Sequence, residues 1–244
     1  MADRFETRFG APSPATGLGR DVAGYDAGLR KHMLSVYNYM ASGVLLTGVV
    51  ALLFARSGYA FDIMVGPGAL KYLIMFSPLV FVMVLSFGIN RLSTGTAQML
   101  YWAFAVVMGL SMSTIFLVFT GASIATTFFA TAAAFVSLSL WGYTTKKDLS
   151  AMGTFLIMGV FGLLFAMIIN MFMQSQAMMY AISAIGVLIF AGLTAYDTQR
   201  IKTLYFEVAG SDFIGKAAIM GALTLYLDFV NMFQFLLSFM GSRE

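Results

Sequence analysis

The chain has 244 residues, of which 60% are hydrophobic and only 10% charged, with a mean hydropathy of +0.86. A soluble domain carries about 25% charged residues, so this composition excludes one and defines an integral membrane protein. The absence of cysteine excludes disulfides, thiolate metal sites and cysteine nucleophiles, and the net charge of +3 does not imply nucleic acid.

Residues 1–32 hold nine charges, Asp3, Arg4, Glu6, Arg8, Arg20, Asp21, Asp26, Arg30 and Lys31, together with Pro12 and Pro14. Without an apolar run this stretch is not expected to be a cleavable signal, and it reads as a mostly flexible tail. Val22, Tyr25 and Leu29 recur at helical spacing near its end, the pattern of a short interfacial helix. Runs of about 20 apolar residues follow, each long enough as a helix to cross about 30 Å of hydrocarbon; barrel strands would alternate over about 10. The expectation is an all-α membrane protein with seven spans, at about 33–54, 69–89, 97–119, 123–141, 151–172, 178–197 and 214–240.

Seven crossings alternate the connections between the two sides. One side then receives Arg4, Arg8, Arg20, Arg30, Lys31, Arg91, Lys146, Lys147, Arg200, Lys202 and Lys216, which is 11 of the 14 basic residues. By the positive-inside rule that side is the cytoplasm, with the N-terminus inside and the C-terminus outside. Gly43, Gly48, Ala130, Ala134, Gly159 and Gly162 are candidates for close helix approach. Pro78 predicts a kink in the second span. His32 is the only histidine and has no visible partner, which excludes metal chemistry needing several histidines. The nineteen methionines read as packing rather than as ligands.

Two of the eleven acidic residues remain to be explained. Asp228 lies mid-span, with Thr224, Asn231 and Gln234 at offsets −4, +3 and +6, on one third of the helix circumference. Ionisable groups at that depth are costly and mark functional sites, although an Asp satisfied by Asn231 and a neighbouring helix is the structural alternative. Asp197 closes the sixth span, where an ordinary helix-end pairing with Arg200 would account for it. If the two carboxyls meet, they share one proton and titrate as a pair, forming a latch between the sixth and seventh helices. Equal helix ends leave them about 10 Å apart in depth. Two carboxylates would hold a hard cation such as Ca²⁺ only weakly, which suits passage better than storage. Arg91 is a possible counter-charge, or a snorkelling anchor.

Four segments together, VYNYMASGVLLTGVVA at 36–51, TKKDLSAMG at 145–153, GLTAYDTQRIK at 192–202 and ALTLYLDFVNMF at 222–233, resemble the Bax inhibitor-1 family in its bacterial YccA-like branch. The resemblance implies seven helices with the seventh central and surrounded by the other six. It also implies a pH-sensitive Ca²⁺ leak gated by an aspartate pair that falls on Asp197 and Asp228, with Arg91 matching an arginine implicated in some members. No cofactor is implied beyond Ca²⁺ as the transported ion, and the location implied is a bacterial inner membrane. A membrane-bound AAA protease is the protein partner implied for that branch. One departure is that Ala69 to Ile89 contains no acidic residue, where some members carry one. An intramembrane aspartyl protease also pairs a Tyr-Asp with a later Asp, but Asp228 follows Leu225, Tyr226 and Leu227 rather than a Gly-x-Gly pattern. No enzyme activity is therefore expected. The runner-up is a non-conducting regulator that binds other membrane proteins.

Overall fold

A computed structural model describes the backbone of residues 15–242 and the side chains of residues 27–242. The expected flexibility of the tail concerns, for residues 1–14, positions outside the described residues. From Ala15 the backbone is helical and continues unbroken into the first span.

The described chain forms α1 (Ala15–Arg56), α2 (Tyr59–Met64), α3 (Leu70–Gly88), α4 (Thr94–Met112), α5 (Ile115–Val118), α6 (Gly121–Thr144), α7 (Ser150–Met173), α8 (Gln176–Val208) and α9 (Ile214–Met240). Among the described residues, seven segments are long and apolar enough to cross a membrane: α1 from Ala27, α3, α4 with α5, α6, α7, α8 and α9. Side-chain oxygens of Ser93, Thr120 and Ser175 accept the first free amides of α4, α6 and α8, the usual chemistry of a helix start. The long apolar stretch at 97–141 is divided at Phe119–Thr120, where both residues turn extended before α6.

Helix α9 is the centre. Well over half of its apolar window is buried, against about a tenth or less for α3 and α7. It packs directly against α1, α4, α6 and α8, while α3 leans on α4 and α7 on α8 at the periphery. Its aromatic side chains form the core. Tyr226 meets Phe104 edge-on at 5.1 Å, and Phe229 meets both Phe128 and Phe135 at 5.6 Å.

Hydroxyls join the helices where the hydrocarbon supplies no partner. Thr47 of α1 donates to the Ala105 carbonyl of α4 at 2.8 Å and is 2.7 Å from the Tyr226 hydroxyl of α9. Ser139 of α6 lies 2.6 Å from the Tyr37 hydroxyl of α1 and 2.9 Å from the Thr198 hydroxyl of α8. Pro78 in α3 cannot donate to the Ile74 carbonyl, and the Ser77 hydroxyl does so instead at 2.9 Å.

The small-residue candidates divide. Gly43 packs on the Tyr101 hydroxyl and Gly159 on Ile189, but nothing lies within 4 Å of where a side chain at Gly48 or Gly162 would start. The inward stripe of α6 is Thr127, Thr131, Phe135, Ser139 and Gly142, whereas Ala130 is exposed. Gly142 lets α6 touch the backbone of α8 at Ala195, so that a side chain there would collide with main chain.

Candidate functional site

Asp197 lies inside α8, not at its end. No helix breaker occurs between Asp197 and Gly210, and the helix runs on to Val208 before Gly210 turns it at φ 79°. Asp197 is buried at 7% exposure and Asp228 at 4%, and their carboxyl groups are within hydrogen-bonding reach of each other. Arg200, three residues on, is exposed. One oxygen of Asp228, Oδ2, has no protein partner among the described residues.

The helix register reduces the depth mismatch to about one turn. Ile201 meets Gly221, Gly186 meets Phe235, and Tyr180 meets Phe239. That register sets the start of α8 about five residues beyond the end of α9, and Asp197 level with about Leu225, one turn short of Asp228. Helical side chains lean toward the N-terminus of their own helix. Because α8 and α9 are antiparallel, Asp197 and Asp228 lean toward each other across the remaining turn.

The supporting polar residues stand apart from this contact. Asn231 Nδ2 donates to the Leu227 carbonyl at 2.8 Å, and the Thr224 hydroxyl donates to Met220 at 3.1 Å, so neither satisfies Asp228. With Gln234 they line a half-buried face of α9. Gln234 borders a cavity of about 320 Å³ that also touches Pro78, Ser111, Thr114 and Ser238 but neither aspartate. Arg91 is exposed in the turn between α3 and α4. The adjoining Thr94 packs on Gly215, about 20 Å along α9 from Asp228, so Arg91 is not gathered into the pair. His32 is buried against the Tyr205 ring at 5.4 Å, with Nε2 unpartnered among the described residues. No three acidic or histidine side chains converge among the described residues. A cation at the pair would keep most of its water or find backbone oxygens.

Sequence reasoning passed over the residues that fix Asp197 in place. Gln199 Oε1 accepts from the Leu149 amide at 2.9 Å, and its Nε2 donates to the Lys147 carbonyl at 2.8 Å. Lys202 donates to the Tyr143 carbonyl at 2.8 Å and lies over the Tyr143 ring at 5.0 Å. The TKKDLSAMG and YDTQRIK segments are therefore one contact, in which α8 clamps the α6–α7 loop. The signal available was the pairing of long polar side chains with a short loop, which spacing within one helix does not reveal.

Among the described residues, seven apolar helices, one of them central and bearing a buried carboxyl, define a polytopic membrane protein. A family model described as "Inhibitor of apoptosis-promoting Bax1" matches residues 29–244, and the chain belongs to the Bax inhibitor-1 family. It is 42% identical to the inner membrane protein YbhL of Escherichia coli over 89% of this chain and 94% of that one. It is 46% identical to an uncharacterised protein of Caulobacter vibrioides, over 90% of this chain and 91% of the relative. Against the uncharacterised protein RP147 of Rickettsia prowazekii the identity is 44%, over 90% and 93%.

Proposed function

We propose that the protein is a passive cation leak, with Ca²⁺ as the transported ion, gated by the Asp197–Asp228 pair. The observation that carries this reading is the buried carboxyl contact between α8 and the central helix α9. Two adjacent carboxylates in a low-dielectric site resist double ionisation, so the pair holds one proton over a range of pH. In that state a charge-assisted hydrogen bond ties the two helices together. A second proton removes the charge that strengthens the bond, and loss of the first sets two anions against each other. Either change favours separation of α8 from α9 and admits a cation.

The membrane is a bacterial inner membrane on this reading, with the N-terminus cytoplasmic and the C-terminus outside. Arg91 acts as a membrane anchor on the basic side rather than as the counter-charge of the pair, and no catalytic role is assigned to any residue. A membrane-bound AAA protease remains the candidate protein partner if the pair serves structure alone.

The test is Ca²⁺ flux in proteoliposomes across pH, comparing the parent with Asp197→Asn and Asp228→Asn. The expected parent profile has a minimum where the pair holds one proton and rises on both sides, and the variants lose that profile. Absence of flux in all three at every pH would overturn the channel reading and favour a non-conducting regulator.

A further inference from the structure

At the end of the bundle where α1 and α4 begin, a cleft of about 610 Å³ opens between them, lined by Arg30, Lys31, Ser35, Asn38, Ser42 and Trp102, with Leu34 on its wall. Lys31, Ser35, Asn38 and Ser42 share one face of α1. Arg30, Lys31, Leu34 and Asn38 are exposed. Among the described residues, no acidic side chain lines the cleft. The Ser42 hydroxyl donates to the backbone carbonyl of Asn38 at 2.5 Å, and the Asn38 side chain is exposed. Trp102 closes the deep end, its ring fixed by Tyr101 at 5.5 Å and Tyr39 at 6.2 Å.

Two features need explanation. Polar side chains on the outer face of a spanning helix are costly unless something in the membrane meets them. The cations at the mouth also face no carboxylate among the described residues that line the cleft. From Lys31 to Ser42 the lining changes from cationic, through hydroxyl and amide, to indole over about 17 Å along the helix axis. That order matches a phospholipid entering from the interface: phosphate, then glycerol esters, then hydrocarbon. A free phosphate would use only the mouth and would leave Ser35, Asn38 and Trp102 unexplained.

We propose that this cleft binds an anionic phospholipid. Its phosphate sits between Arg30 and Lys31, its ester carbonyls accept from Ser35 and Asn38, and an acyl chain runs past Leu34 and Trp102. Basic pockets between spanning helices are a recurrent way to hold such headgroups. The cleft lies away from the α8–α9 carboxyl contact, so the inference stands independently of the leak reading.

The chain has two tryptophans, and Trp141→Phe leaves Trp102 as the sole tryptophan, excited selectively over the tyrosines at the red edge of the absorption band. Full-length Trp141→Phe protein is reconstituted in vesicles, and quenching of Trp102 by brominated phosphatidylglycerol is compared with quenching by brominated phosphatidylcholine. The expected result is a preference of roughly five- to thirtyfold for the anionic lipid, from one to two cations acting near the surface. Arg30→Gln with Lys31→Gln brings the ratio toward one, and either single change lowers it part way. The charge-matched control, Lys146→Gln with Lys147→Gln at an exposed loop, leaves the preference intact. A parent ratio near one, an equal loss in the control, or cancellation of the preference by millimolar inorganic phosphate each overturns the proposal. Retained helical circular dichroism establishes that every compared variant is folded.

Discussion

At the residue scale, the chemistry that sets Asp197 in place is held by neighbours whose roles are structural. Gln199 and Lys202 fasten the α6–α7 loop to α8, and Asp148 completes that corner by accepting from the Ser150 amide at 2.9 Å. Hydrogen bonds from the Ser150 side chain and backbone hold the Asp148 carboxyl below the usual carboxylate range. A depressed pKa contributes stability that is complete above the ordinary value and is lost as pH falls through the folded one. The first turn of α7 is therefore expected to fray on acidification. Hydrogen exchange at the amides after Ser150 should accelerate as pH falls below the carboxylate range, after correction for intrinsic rates, and Asp148→Asn should abolish the step. Gln199→Ala should raise exchange at Leu149 at every pH, because it removes an acceptor rather than a charge.

At the element scale, helix approach is decided by which residue faces which backbone. Gly142 and Ala195 bring α6 and α8 into main-chain contact, and the Ser139–Thr198 hydroxyl pair lies one turn away. Gly142→Val puts a branched side chain against a carbonyl that cannot move without shifting a helix. The expected cost is about 1–3 kcal/mol, the usual range for overpacking a close contact. Gly162→Val meets open space and should be neutral within about 0.5 kcal/mol. Thermal or denaturant unfolding in one detergent checks both, and an equal loss at the two sites would remove the distinction. The α3 proline belongs to the same scale, since Ser77 restores the partner that Pro78 takes away and the helix continues through it.

At the scale of the whole molecule, α9 is enclosed and α3 and α7 form much of the surface. Phe155, Met158, Phe161 and Phe165 of α7 are exposed, which in water would be a liability and in lipid is the expected outer face. A carbene reagent partitioned into the bilayer should label α3 and α7 most heavily and the inward residues of α9 least. Mass spectrometry of the labelled peptides reads this directly. Heavy labelling of Leu225, Tyr226 or Phe229 would contradict a central α9.

The membrane class and the seven helices were legible in the sequence because a 20-residue apolar run has one low-energy form in hydrocarbon, whatever its neighbours. Asp228 was legible for the same reason, since a carboxylate at mid-span needs a partner. Asp197 was not, because its apparent position at a helix end came from where the hydrophobicity stops, and the helix itself continues three turns into polar sequence. The meeting of the two aspartates was carried mainly by family resemblance, and it depends on the register of α8 against α9. That register depends on side chains such as Gly186, Phe235, Gly221 and Ile201, which lie far apart in the chain. Local sequence sets how each helix crosses the membrane, but helix-to-helix offset is a property of packed surfaces, and only the tertiary structure contains it.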